Sequence, residues 1–252
     1  DHRTNRLDLR HIFIQRDIPY FYNYKATVQD YTYFQLQYTA EKAHRWNGRK
    51  DQLTMTGNQD FYRFTASGTR RIPYSNPTKG LEINGRASIV NIDDRIAPDV
   101  DYRLRLSGWS GSDDYLFDGV FLGRTEQSGI LSQQFMSTDG GFSTNGSFYR
   151  LADSYMISMS IKCDLPGKLP VRLYANLATF NDAKNTAINA TALSYEGGIE
   201  ISLLRNIFTL YIPLVYSSDL RYVIDREDLS FGELIRFEID FKQLNPLTSL
   251  NK

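Results

Sequence analysis

The chain is predicted to be all-β: an antiparallel up-and-down transmembrane β-barrel of about 10–14 strands, with about 12 as the central value. Three observations predict it. Many segments alternate apolar and polar residues with a period of two, which on a strand sorts the two kinds of side chain onto opposite faces. The polar side of most segments carries charge of both signs. The runs are of eight to thirteen residues, where a tilted membrane strand needs about 9–11.

In chain order, the first run covers 7–15, and in the second, 32–42, Phe34, Leu36, Tyr38 and Ala40 share a face. In 61–72, Tyr62, Phe64, Ala66 and Gly68 oppose Arg63, Thr65, Ser67 and Thr69. In 81–92, Leu81, Ile83, Ala87 and Ile89 oppose Glu82, Asn84, Arg86 and Ser88. The run 102–109 sets Leu104 and Leu106 against Arg103 and Arg105, and a few weaker strands are expected within 115–150. The run 155–165 aligns Tyr155, Ile157, Met159, Ile161, Cys163 and Leu165. After 171–180, the run 192–204 sets Ile199 and Ile201 against Glu196 and Glu200. Next come 207–217 and then 234–243, where Ile235, Phe237, Ile239 and Phe241 alternate with Arg236, Glu238, Asp240 and Lys242.

Turn formers mark short connections at 75–80, 164–170 and 204–206, whereas 16–31, 43–60, 181–190 and 218–233 read as long loops. Short turns on one rim and long loops on the other are the habit of an outer-membrane barrel. No helical periodicity longer than two turns, internal repeat or low-complexity linker interrupts 1–252, so a single domain is expected.

Composition narrows the function classes. Charge is balanced, 29 basic against 29 acidic residues, which disfavours nucleic acid as a partner. Seventeen Tyr and fifteen Phe suit half-buried strands and the belts where a membrane meets water. A lone cysteine, Cys163, leaves no internal disulfide and no Cys-based zinc site; its place on an apolar face reads as a small hydrophobe. The longest apolar run, 207–216, is ten residues and contains Pro213, short of a spanning helix. A start at Asp1, with neither Met nor a signal peptide, is expected of a processed or partial product.

Alternation alone does not say which face meets what. A soluble sandwich turns its apolar faces inward and a membrane barrel turns them to lipid. Strand length and aromatics near strand ends (Tyr33, Tyr62, Tyr102, Tyr155, Phe180, Tyr216) favour the barrel. Arg103, Arg105, Glu196, Glu200, Arg236 and Glu238 are then expected in the lumen, paired into a plugged rather than open interior. Leu104, Leu106, Ile157, Ile161, Ile199, Ile201, Phe237, Ile239 and Phe241 are expected to face lipid. A solute-transport barrel or translocon subunit and a soluble sandwich or lipocalin-like binder are the competing readings.

The stretch 105–124, the segments 129–134 and 139–142, Leu165-Pro-Gly-Lys-Leu-Pro170, and the closing segments 201–218 and 236–246 resemble a known family. They are similar to the β-barrel region that follows the peptidase part of outer-membrane-associated gluzincin (aminopeptidase-N-like) proteins of Bacteroidota, over roughly 100–246. The resemblance implies a membrane-embedded module in the bacterial outer membrane, anchoring or assembling with an upstream zinc peptidase domain or other outer-membrane subunits. That family's zinc motif is His-Glu-x-x-His with a downstream Glu. The only histidines here are His2, His11 and His44, none so spaced, so no catalytic residue and no cofactor is expected in this chain.

Three weaker candidates remain. His11 is the one histidine within a strand, but no Gly-x-Ser-x-Gly elbow accompanies it. Asp113, Asp114 and Asp118 could offer oxygen ligands to calcium, though their spacing is not that of an EF-hand loop. The segment 108–142 combines seven glycines with Trp109, Tyr115, Phe117, Phe121, Phe135 and Phe142. It is expected either to fold back into the barrel mouth or onto a partner, with Arg124 meeting acidic groups there, or to form short bulged strands.

Overall fold

The computed structural model describes residues 2–19, 26–43, 47–93, 101–144, 151–181, 192–203 and 207–241. The strands are β1 (His2–Pro19), β2 (Ala26–Ala43), β3 (Arg49–Gly57), β4 (Phe61–Pro73), β5 (Gly80–Ile92), β6 (Leu104–Arg105), β7 (Leu151–Ala152), β8 (Tyr155–Asp164), β9 (Val171–Phe180), β10 (Ser194–Leu203), β11 (Phe208–Tyr216) and β12 (Arg236–Ile239). Two short helices, α1 (Ser218–Arg226) and α2 (Phe231–Leu234), lie between β11 and β12. The fold is all-β and antiparallel.

Ten strands form one sheet in the order β1-β2-β3-β4-β5-β8-β9-β10-β11-β12, each beside its neighbour in the chain except where 93–154 separates β5 from β8. The pair β6 and β7 stands apart as a two-stranded ladder. Among the described residues no ladder joins β12 to β1. Connections at one rim are short (44–48, 74–79, 165–170, 204–207), and those at the other include 93–154, 181–193 and 217–235.

The ladders show why the alternation exists. Leu9 faces Leu36, Met55 faces Phe64, and Ile83 faces Ile161 across neighbouring strands, so apolar residues share one surface of the sheet. That surface points outward. Leu7, Leu9 and Phe13 are 68%, 77% and 72% exposed, and Phe34, Leu53, Phe64, Ile89, Ile157 and Leu173 continue the exposed band. The opposite surface carries Gln35, Thr56, Arg63, Ser88, Ser158, Asn176, Glu196 and Glu200, all buried. The sheet is inside-out relative to a water-soluble sandwich, which hides its apolar face.

The buried polar face wraps the segment 101–144, here termed the insert. At the loop rim the inward positions turn apolar to receive it. Tyr33, Phe61, Val90, Met156, Ala178 and Phe180 from the wall pack with Tyr102, Leu104, Leu106, Trp109, Tyr115 and Phe142. Phe61 and Tyr102 stack at 4.1 Å, with Tyr115 edge-on to both. Leu220 of α1 closes this cluster from above, and Ser194 donates to Asp219 at 2.5 Å beside it.

Several expectations are corrected. The run 102–109 is not a wall strand: Leu104 and Leu106 are buried in the interior cluster rather than facing lipid, because their alternation separates insert core from insert polar groups. The supposed loop 43–60 contains β3, and β1 and β2 extend so far that their connection is only 20–25. Within 115–144 the chain makes turns, isolated bridges and a 3-10 turn (Ile130–Gln133) in place of strands. The supposed loop 218–233 carries α1 and α2. The last strand is Arg236–Ile239, shorter than 234–243, of which 242–243 lie outside the described residues. The ten strands of the main sheet, by contrast, lie within the expected 10–14.

Candidate functional site

The inward face and the insert together form the buried surface where charged groups converge, and it is layered; a smaller exposed cluster, Arg49, Asp51 and Arg70, lies on the outward face. Below the aromatic cluster lies a polar clamp. Arg63 of β4 donates to the carbonyls of Tyr102 at 2.7 Å and Arg103 at 3.2 Å, and pairs with Asp139 at 3.4 Å. Asp139 also accepts the Arg105 backbone N–H at 3.1 Å, and its own carbonyl accepts Ser158 Oγ at 2.7 Å. On the far wall Glu196 accepts the Ser143 N–H at 2.8 Å, Ser143 Oγ at 2.9 Å and the Thr144 N–H at 2.7 Å. Asn176 donates to the Gly141 carbonyl at 3.2 Å. Strands β4, β8, β9 and β10 thus each hold the insert by a side chain that alternation had turned inward.

Nearer the turn rim the interior is ionic. Arg172 contacts Asp164 at 2.9 Å, Glu200 at 3.2 Å and Glu82 at 3.4 Å. Lys162 meets Glu200 at 2.7 Å and donates to Tyr211 Oη at 3.0 Å. Arg71 reaches Asp164 at 3.2 Å, and the Gly80 N–H donates to the same carboxylate at 2.8 Å. Buried charges persist where pairing and hydrogen bonds are this dense. A cavity of about 440 Å³ opens beside the network, bordered by Lys162, Arg172, Glu200, Tyr211, Glu238 and the insert's Phe135.

The insert also spans the gap between the sheet's two edges. On one side the Phe135 N–H donates to the Phe237 carbonyl of β12 at 2.9 Å, and Gln134 bridges Phe237 in parallel. On the other, Asp118 pairs with Arg10 of β1. The Gln134 side chain holds the intervening loop, accepting from the Leu122 N–H at 2.7 Å and donating to the Val120 carbonyl at 2.8 Å.

The expected lumen residues divide. Glu196, Glu200, Arg236 and Glu238 lie on the inward register: Arg236 donates to the Gln133 carbonyl at 2.9 Å, and Glu238 receives the Ser137 N–H at 3.4 Å. Arg105 is buried within the insert against Asp113 at 3.1 Å. Arg103 is corrected: it lies exposed, in a two-pronged pair with Asp101 at 2.9 Å, because 102–109 is not in the wall.

Of the expected lipid-facing residues, Ile157, Ile161, Ile199 and Ile201 hold outward register positions. Phe237 has outward parity yet is buried, its ring stacked on Phe208 of β11 at 5.5 Å and its backbone bridged by Gln134 of the insert. Ile239 and Phe241 border the 440 Å³ cavity.

Asp113, Asp114 and Asp118 do not converge on an ion site: each meets a different arginine, namely Arg105, Arg124 and Arg10. No group of three or more potential metal ligands occurs among the described residues. Arg124 also donates to the Gly119 carbonyl at 2.5 Å and lies over Phe117 and Phe121, so it organises the loop from within. His11 points outward, stacked on Phe34 at 4.3 Å. Cys163 is half-buried on the outward face, with Tyr74 Oη 2.8 Å from its Sγ.

Sequence reasoning set Arg63 and Lys162 on the polar sides of their runs and passed over Arg10, Arg172 and Asp139 as interior residues. The first four sit at inward positions of strands that were recognised, so parity alone places them. Asp139 carried no such signal. No protein family and no curated protein matches the chain.

Proposed function

We propose that the chain is the wall and plug of an outer-membrane β-barrel that acts as a membrane anchor or assembly module. The observation that carries this reading is the inversion of the sheet: a continuous exposed apolar surface around a buried, ion-paired interior. In water that exterior is unfavourable at about 25 cal/mol per Å² of apolar area, whereas in hydrocarbon it is the matching solvent. The backbone groups of the eight strands from β2 to β11 in the sheet are satisfied by a neighbour on each side, which is what a bilayer demands, while β1 and β12 are paired on one side among the described residues. The three longest connections, 93–154, 181–193 and 217–235, all lie at one rim, which they share with the short 20–25 and 58–60, and this supports the same reading.

The insert favours an anchor over an open passage, since it binds the inner surface from β4 to β12. The resemblance over 100–246 extends the proposal to a partner: an upstream zinc peptidase domain or another outer-membrane subunit. The test begins with refolding from urea into detergent micelles. A heat-modifiable gel band and flotation with liposomes are the expected results. A monodisperse protein in buffer without detergent would overturn the membrane reading. In planar bilayers the plugged wall should pass no steady current, and stepwise conductance would replace the anchor with a solute passage.

A further inference from the structure

We propose that the cavity beside Arg86 binds a small tetrahedral oxyanion of the phosphate or sulfate class. Arg86 holds an inward position on β5, opposite Ser67 of β4 and Ser158 of β8 in the ladders. It borders a cavity of about 190 Å³, smaller than the 440 Å³ one, together with Asn84, Ser137, Ser158 and Ser160.

Charge pairing singles this residue out. Every other charged side chain on the cavity lining has an ion-pair partner: Lys162 has Glu200 at 2.7 Å, Glu82 has Arg172 at 3.4 Å, and Asp139 has Arg63 at 3.4 Å. Those pairings offset the charge of the two carboxylates, of which Asp139 also acts on Arg86 without touching it. Arg86 makes no hydrogen bond or ion pair with any described residue. The hydroxyls of Ser137 and Ser160 are likewise without partners among the described residues.

A guanidinium offers five N–H donors in a planar fork and keeps its charge, so a partly buried one that makes no hydrogen bond calls for an acceptor. An oxyanion supplies it: two oxygens take the fork and the others face the serine hydroxyls. Ser158 already donates to the Asp139 carbonyl at 2.7 Å, which leaves Ser137 and Ser160 as the free hydroxyl donors. The cavity lies below the about 300–1,000 Å³ of sites that hold drug-sized ligands, which fits an ion and not a nucleotide. The site is defined by the inward face and stands whether or not the outward face meets lipid.

Calorimetric titration of the refolded chain with sodium phosphate, sodium sulfate and sodium acetate in a chloride buffer tests the proposal. One saturable site per chain for phosphate or sulfate is expected, with acetate weaker. Arg86→Gln should weaken binding about tenfold or more, while Arg6→Gln, on an exposed pair with Asp8, should leave it unchanged. Heats of simple dilution for all three anions, or equal binding by wild type and Arg86→Gln, would overturn it. The heat-modifiable band reports whether Arg86→Gln folds. If it does not, the double variant Ser137→Ala, Ser160→Ala decides, with weaker binding expected and unchanged affinity sinking the proposal.

Discussion

Arg63 of β4 and Asp139 of the insert meet at 3.4 Å with their side chains only 7% and 5% exposed, so the main clamp on the plug is a buried ion pair. The same guanidinium holds the Tyr102 and Arg103 carbonyls. Removing one partner of such a pair leaves an uncompensated charge, at about 3–5 kcal/mol. Arg63→Met and Asp139→Asn are each expected to lower the unfolding free energy by about that much. Urea titration of the micelle-refolded protein measures it, and losses below about 1 kcal/mol would mean the insert is held elsewhere.

The outward face gives a second expectation. Ile157 is 53% exposed at an outward position. In a bilayer, Ile157→Arg should destabilise the wall by about 2–4 kcal/mol, as for a cation near the midplane. On a water-facing surface the same change stays within about 0.5 kcal/mol. Unfolding in liposomes therefore separates the two solvents directly.

Close backbone approach inside the plug gives a third. A Cβ on Gly140 would stand 2.3 Å from the Leu106 carbonyl oxygen and 2.7 Å from its Cα. Gly140→Ala is expected to cost about 1–3 kcal/mol by overpacking. Gly85→Ala, where the new Cβ meets nothing within 4 Å, should cost none of this. Parallel urea melts of the two variants make the comparison.

The insert should also loosen at both extremes of pH. Burial alone would raise the Asp101 carboxyl, but the Arg103 side-chain and backbone hydrogen bonds, with Arg105 nearby, outweigh it and hold the group below its ordinary value. That stability is present above the unfolded value of about 3.9 and is lost as pH falls through the lower folded one. Burial pushes the Tyr115 phenol up to about 12, with Arg63 opposing the rise. Its contribution is complete below the unfolded value of about 10 and is lost as pH rises through the folded one. Trp109 emission and tyrosinate absorbance should follow these transitions. Asp101→Asn should abolish the acid arm and Tyr115→Phe the alkaline arm.

Parity made the wall legible. Phe34, Leu36 and Tyr38 could only share a face, and the partners of that face followed from turn positions. The strand β3 escaped because Arg49, Lys50 and Asp51 begin it with consecutive charges that blur the alternation. The run 102–109 misled because alternation records two unlike environments and not which surface supplies them. Leu104 and Leu106 meet aromatic side chains, whereas Leu9 and Leu36 stand exposed, with the same local pattern. Helix α1 buries only Leu220 and Val223 among its apolar residues, too few for a periodic signal. The clamp joins residues such as Ser143 and Glu196 across long sequence separations, which no local pattern encodes.

The unequal rims give the molecule a direction. Entering a bilayer edge-first, the wall can draw the connections 44–48, 74–79, 165–170 and 204–207 through hydrocarbon at little desolvation cost. The other rim carries 93–154 and 217–235, whose many polar groups make passage prohibitive. On the membrane proposal the chain would thread a bilayer from one side only, and its orientation would follow from the lengths of its connections.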